Sequence, residues 1–286
     1  MEYLSIVDQA AKMKDETPAK RLAYIGVFSI AQMTICEHST TKPFNPMLGE
    51  TYELITPEMR FLSEQVSHHP PITANYVESK RENVKIWSNT QTKSKFTGKA
   101  LDFISVYKEY IEMEDFGETY EITLPTVSVH NLIIGTMYTD IGGGASVRLL
   151  GNQDLDCQLR YTKRGWLSKE TFKVEGEVVE YLDKERKKSR SLYKIFGNWN
   201  SKVYIAKVND QGGVDEGTKE CVFTKNPQPE RADFMYGMSH FALNMNNFPD
   251  YLKHKLPPTD TRRRPDQREL ENGDYIQAAK EKERLE

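Results

Sequence analysis

Residues Glu64 to Ile72 read Glu-Gln-Val-Ser-His-His-Pro-Pro-Ile, which sets two imidazoles side by side and follows them with two prolines. An imidazole donates a hydrogen bond from one ring nitrogen when neutral and from both when protonated. Proline fixes its own φ and pushes the residue before it into the extended region, so His69 and Pro70 are each restrained by the proline that follows. Two donors held in this way can meet one anionic group with little ordering entropy left to lose. An adjacent histidine pair is equally compatible with simple surface packing. Upstream, the run Lys42-Pro43-Phe44-Asn45-Pro46-Met47-Leu48-Gly49-Glu50 sets a cation and an amide on a second proline-stiffened segment. Lysine is a point charge suited to phosphate, and the amide of Asn45 can donate to the same oxygens.

These two runs resemble the lipid-binding domain of the oxysterol-binding-protein-related family, whose fingerprint Glu-Gln-Val-Ser-His-His-Pro-Pro stands here at Glu64 to Pro71. The similarity extends to Val129-His130-Asn131, to Gly197-Asn198-Trp199 and to Leu256 through Arg268, and so covers nearly the whole chain. It implies that Lys42, Asn45, His68 and His69 bind the headgroup of phosphatidylinositol 4-phosphate. It also implies that Lys282 and Glu286 join them from a C-terminal helix, on which the family spaces Lys, Glu and Arg by four; the third place would fall beyond Glu286. The implied activity is carriage of lipid between membranes. The phosphoinositide would exchange in one tunnel for a second lipid, sterol or phosphatidylserine, with the protein meeting anionic membrane surfaces. The family's N-terminal lid precedes the segment resembling Met1 to Lys12, so this sequence is expected to lack it and to hold sterol poorly.

Composition agrees with these expectations. A chain of 286 residues, 38% hydrophobic, can bury a substantial core, and one domain over 1–286 is expected. The net charge of −3 argues against a general nucleic-acid binder, whose affinity needs a basic face. Any anion site is therefore local. Cys36, Cys157 and Cys221 are far apart, with neither metal-type spacing nor a disulfide pattern, which suggests a reducing compartment. No apolar run approaches the roughly 20 residues that span a bilayer, and Met1 to Ala11 lacks the plan of a signal peptide. A cytoplasmic protein, peripheral on membranes, is expected.

The elements that must position the histidines can be read from periodicity. Residues 1–40 follow a helical period, with Tyr3, Ile6, Val7 and Ala10 on one face and an Ala-, Ile-, Leu- and Met-rich run from Ala19 to Cys36. From Glu50 to about Lys207 the period is two, as in Val174, Gly176 and Val178 against Lys173, Glu175 and Glu177, and the barrel is assigned to 41–207. Gly142-Gly143-Gly144, Gly151-Asn152 and Asn209 to Gly213 read as turns between strands. Many short strands of this kind curl to protect their edges. The predicted class is therefore α+β: a large antiparallel, nearly closed β-barrel enclosing a lipid tunnel, with N-terminal helices and a C-terminal helical region over 208–286. In that region the Met- and Phe-rich stretch from Phe234 to Phe248 is expected to be core. Pro265 suits a helix start, Asn272-Gly273 a helix end, and Asp274 with Gln277 a second start. The basic runs Lys184 to Arg190 and Arg262 to Arg264 are expected to be a solvated loop and fold-stabilising contacts, with docking to an anionic leaflet as the alternative for each.

Two other functions are weighed. An enzyme using His68 and His69, with or without a metal also held by His130, would need further groups; no GxSxG, HExxH or Walker-type loop and no Cys-His zinc spacing is present. No enzyme, metal or cofactor is expected. A lipid sensor or membrane tether that does not transport would share the same pocket. For the anion site the expected signature is electrostatic. Imidazoles ordinarily titrate near about 6.5, and a dianionic phosphate favours their protonated form. Headgroup affinity should rise between pH 8 and pH 6, and equal titration curves at the two pH values, on folded protein, would exclude this electrostatic contribution.

Overall fold

The computed structural model describes residues 1–38, 44–164, 171–235 and 237–286. Helix α1 spans Leu4–Ala11 and helix α2 spans Pro18–Gln32, with Pro18 at the first turn where no intrahelical hydrogen bond is lost. Leu22, Ala23, Ile25, Val27, Phe28, Ile30 and Ala31 of α2 are all fully buried. A helix apolar all the way round must be enclosed, and here it is a sheet that encloses it. A 3-10 segment, Met33–His38, carries the chain onward.

The strands follow as β1 (Thr51–Ile55), β2 (Met59–His68), β3 (Pro71–Ser79), β4 (Val84–Thr90) and β5 (Thr92–Phe96). Next come β6 (Ala100–Ser105), β7 (Glu109–Met113), β8 (Glu118–Thr123), β9 (Thr126–His130) and β10 (Tyr138–Leu149). The remaining five are β11 (Leu155–Tyr161), β12 (Lys173–Tyr181), β13 (Ser189–Asn198), β14 (Lys202–Lys207) and β15 (Glu220–Thr224). The main path runs β1-β2-β3-β4-β7-β8-β10-β11-β12-β13-β14-β15, and β5, β6 and β9 form a branch that rejoins at β10. β1 and β15 end the path and do not pair with each other, so the wall wraps around α2 without closing into a ring. This is the antiparallel, nearly closed architecture expected from the sequence. Strand β15 extends it beyond Lys207.

Alternation decides which side faces inward. Cys157, Leu159 and Tyr161 of β11 and Val174 and Val178 of β12 are buried, while Gln158 and Arg160 are exposed. The inner face packs against α2 so closely that a Cβ on Gly26 would lie 2.7 Å from Cys157 Sγ. Only glycine lets the helix approach there.

Two expectations are corrected. Gly142-Gly143-Gly144 is not a turn but the middle of β10. Up to Gly142 the strand pairs with β9; from Gly143 it pairs with β11 and from Ser146 with β8, and Gly143 takes φ +95° at the change of partners. The glycines let one strand belong to two sheets. The stretch from Phe234 to Phe248 is not core: Phe234, Met235, Met238 and Leu243 are exposed, and the short helix α3 (His240–Met245) buries none of its residues. Two of its rings meet cations, with Arg231 4.8 Å from the Phe234 ring centroid and Arg263 5.3 Å from that of Phe248, and Phe241 alone of its phenylalanines packs half-buried against the core. A 3-10 turn, Glu114–Phe116, joins β7 to β8. The Lys184 to Arg190 run is an ion-paired connection between β12 and β13, with Arg186 3.0 Å from Asp156. It lies at the barrel end opposite to the β2–β3 turn, because β12 and β3 both run away from that turn's end.

At that far end Arg21 of α2 donates from Nε to Glu118 at 2.8 Å, the Tyr120 hydroxyl also bonds Glu118, and the guanidinium lies 4.1 Å from the Phe116 ring centroid. Breaking a buried pair leaves an uncompensated charge. Arg21→Ala should cost about 3 to 5 kcal/mol, read as the shift in a chemical-denaturation midpoint at unchanged slope; a loss below about 1 kcal/mol would show the pair to be no stronger than a surface contact.

Candidate headgroup site at the barrel mouth

The histidine pair forms the turn between β2 and β3. Register shifts between Gln65 and Ser67, leaving Val66 as an extra residue, and His68 then pairs with Pro71 across a cis His69–Pro70 bond. Gln65 is buried; its Nε2 donates to the Ser67 carbonyl at 2.8 Å and its Oε1 accepts from Thr73 Oγ1 at 2.5 Å. One side chain thus ties both limbs of the turn. The two imidazoles stand 4.6 Å apart, edge to face. His69 is exposed, whereas His68 is half-buried and its Nδ1, shut away from solvent, finds no hydrogen-bond partner among the described residues.

The second stiffened segment lies beside this turn. Gly49, at φ +77°, donates its N–H to the Gln65 carbonyl at 2.8 Å, and the Gln65 N–H donates to the Glu50 carbonyl at 2.9 Å. Glu50 accepts from the Met47 N–H at 2.7 Å and from Arg264 Nη1 at 2.9 Å. Arg264 also donates to the Asn45 carbonyl at 2.8 Å and to Asp266 at 2.9 Å. Asn45 is therefore held beside the turn through its backbone carbonyl. Lys42 lies outside the described residues.

The last helix supplies the third wall. α4 (Asp250–Lys253) and α5 (Pro265–Glu271) lead into α6 (Tyr275–Leu285), which starts where Asp274 accepts from the Gln277 N–H at 2.9 Å, as its spacing predicts. Ala278 is fully buried and holds the helix down. One turn on, Lys282 reaches Met47 Sδ at 3.7 Å and hydrogen-bonds Glu286, whose Oε1 is 3.8 Å from His68 Nε2. Lys282, bonded to it, holds the Glu286 carboxyl below the usual carboxylate range, and the charges of His68 and His69 act in the same direction. His68, His69, Lys282 and Glu286 are thus one cluster, and Met47 links it to the Asn45 segment.

Sequence reasoning had no signal for Arg264 as the residue that anchors the 44–50 segment, since its partners Asn45 and Glu50 are more than 200 positions away. The basic trio is structural. Arg262 is bidentate on Asp260, donates to the Glu53 carbonyl at 2.6 Å and covers Tyr52, and Arg263 donates to the Pro257 and Leu256 carbonyls. Gln65 and Met47 were within the motifs but carried no sign of their contacts. His130 stacks on Tyr138 at 4.9 Å, and no group of three metal-ligating side chains is found among the described residues.

Similar proteins share this architecture. Over 289 aligned residues the chain is 35% identical to human oxysterol-binding protein-related protein 7, matching along 100% of its own length and 32% of the relative's. It is 34% identical to Arabidopsis thaliana oxysterol-binding protein-related protein 1B, with 100% of this chain and 56% of the relative covered. The chain thus spans about a third of the human relative. Among solved structures, the Osh1 ORD domain in complex with cholesterol superposes with a TM-score of 0.85 at 31% identity, covering 99% of this chain and 68% of that one. The Osh3 ORD in complex with PI(4)P from Saccharomyces cerevisiae gives 0.82 at 26% identity, with 99% and 71% covered. The family model described as oxysterol-binding protein matches residues 1–286 without a break, and the chain belongs to that family.

Proposed function

We propose that this chain binds phosphatidylinositol 4-phosphate by its headgroup at the His68–His69 turn and carries the lipid between membranes. The observation that supports this most directly is convergence: Lys282 and Glu286, from the last helix, meet His68 on a turn more than 200 residues earlier in the chain. His68 presents a buried Nδ1 that lacks a partner among the described residues, and Lys282 reaches the cluster through Glu286, which lies 3.8 Å from the ring's Nε2. A phosphate monoester has the charge and the acceptor oxygens to join these donors, with Lys42 and the Asn45 amide completing the set. Glu286 would accept from inositol hydroxyls, which leaves the phosphate to the cations.

The second lipid, sterol or phosphatidylserine, would use the one tunnel that the family resemblance implies. Related domains solved with cholesterol, with ergosterol and with PI(4)P support this for the sterol class. The energetics suit exchange. Each buried methylene contributes about 0.8 kcal/mol relative to water, but a lipid leaving a bilayer leaves an environment already apolar, so the net gain is small and release is possible. No helix among the described residues is long and apolar enough to cross a membrane. The protein would work at cytoplasmic membrane surfaces and return its lipid chemically unchanged.

Liposome extraction tests this. His68→Ala/His69→Ala, with an unchanged melting curve, should lose about 10- to 100-fold in phosphoinositide extraction, the weight of one or two charge-assisted hydrogen bonds. Extraction equal to that of the native chain would move the headgroup elsewhere. Transfer between two vesicle populations separates carriage from sensing, because a sensor binds the lipid and delivers none.

A further inference from the structure

The branch of the sheet formed by β5, β6, β9 and the first half of β10 points the same way as the histidine turn. β4 runs toward that turn, since Thr90 pairs with Thr73, and it leads through Gln91 directly into β5. Thr92–Phe96 then extends the sheet by five residues, about 17 Å. At its outer edge two hairpin tips lie side by side: Ala100, which follows the 97–99 turn, pairs with His130, which precedes the 131–137 loop. Both tips therefore project past the barrel mouth.

These tips are unusual in what they show to solvent. Ile133 is 82% exposed and Ile134 85%, and Leu132, Met137 and Phe96 are exposed beside them. The loop does not fold back to hide them. Asn131, at φ +60°, donates from Nδ2 to the Thr136 carbonyl at 3.0 Å, and Gly135 at φ +93° completes a closed loop that holds the two isoleucines outward. Around them the charge has one sign. Lys93, Lys95 and Lys99 lie on the first hairpin, Arg164 packs 4.9 Å from the Tyr138 ring centroid, and no Asp or Glu occurs in 92–101 or 126–139. The nearest carboxylates are already engaged. Asp102, opposite Lys95, accepts from Ser128 Oγ at 2.6 Å, and Asp140 accepts from the N–H groups of Ile141 and Arg164 at 3.0 Å.

A contiguous apolar tip inside a ring of cations matches the interface of an anionic bilayer, where apolar side chains enter the acyl boundary and lysines meet the headgroups. We propose that the Ile133–Ile134 loop inserts into the anionic leaflet and, with the lysines of the β5–β6 hairpin, docks the barrel mouth on the membrane. A partner protein would be expected to meet these isoleucines with a shaped apolar pocket and the lysines with carboxylates; a bilayer needs only depth and negative charge. The inference rests on the reading that the His68 end of the barrel opens toward a membrane.

The test uses the whole chain and two probes: phosphatidylcholine vesicles containing phosphatidylserine, and the water-soluble glycerophosphoinositol 4-phosphate. Ile133→Asp/Ile134→Asp should weaken vesicle binding at least about tenfold, with melting temperature and soluble-headgroup binding unchanged. Ile133→Trp/Ile134→Trp, which keeps an interfacial preference, should bind vesicles as well as the native chain or better, and Lys93→Glu/Lys95→Glu should weaken binding most at low salt. Native-like vesicle binding by the aspartate variant overturns the proposal, as does failure of the native chain to bind vesicles. A loss of self-association in the aspartate variant, with vesicle binding unchanged, would reassign the loop to a contact between copies. If the native chain binds vesicles through the loop but not the soluble headgroup, docking stands and the headgroup assignment fails.

Discussion

Everything in this molecule is arranged around a helix that has no polar side. Because α2 buries almost every residue from Ala19 to Ala31, water must be excluded on all its faces, and a flat sheet covers only one. A long antiparallel sheet that coils around the helix meets that demand, and its right-handed twist makes coiling natural. The wall need not close into a ring, since the helix itself occupies the middle. The free edge at β1 is partly covered by the C-terminal region, where the Thr51 N–H donates to the Thr259 carbonyl at 2.9 Å.

That C-terminal cover is also what assembles the site. Arg264 is buried together with Glu50 and Asp266, so a cation and two carboxylates share a space with little water. Such a network is costly to leave half-made. Its satisfaction fixes the 44–50 segment against β2 and fixes the start of α5 against that segment. The following helix then has little choice about where its last turn lies. The meeting of Lys282 with Met47 and of Glu286 with His68 is a consequence of this packing.

Much of this was legible in the chain. Periods of two marked the strands and their buried faces, Asp274 with Gln277 marked α6, and the proline-stiffened runs marked two segments that the fold sets side by side. The misreadings have physical causes. A glycine triplet signals conformational freedom without saying whether the freedom serves a turn or a strand that changes partners, as β10 does. The Phe- and Met-rich stretch after 234 has the composition of core, but most of its large side chains stay exposed, and composition alone does not say which segment the sheet will cover. The position of Arg264 is likewise a fact of the closed fold. Lys42 belongs to a stretch outside the described residues.

The lysines of β5 have a further consequence, for colloidal behaviour. Among the described residues β5 pairs only with β6, and all five of its residues are exposed, so its outer row of N–H and C=O groups has no strand partner there. An open edge beside exposed Phe96, Ile133 and Ile134 would be a template for stacking one molecule on another. Charges at Lys93 and Lys95 make that stacking repulsive, because an edge-to-edge pair would bring like charges together without neutralising them. The same side chains that suit a negatively charged surface thus keep a greasy, unfinished sheet edge dispersed in concentrated solution.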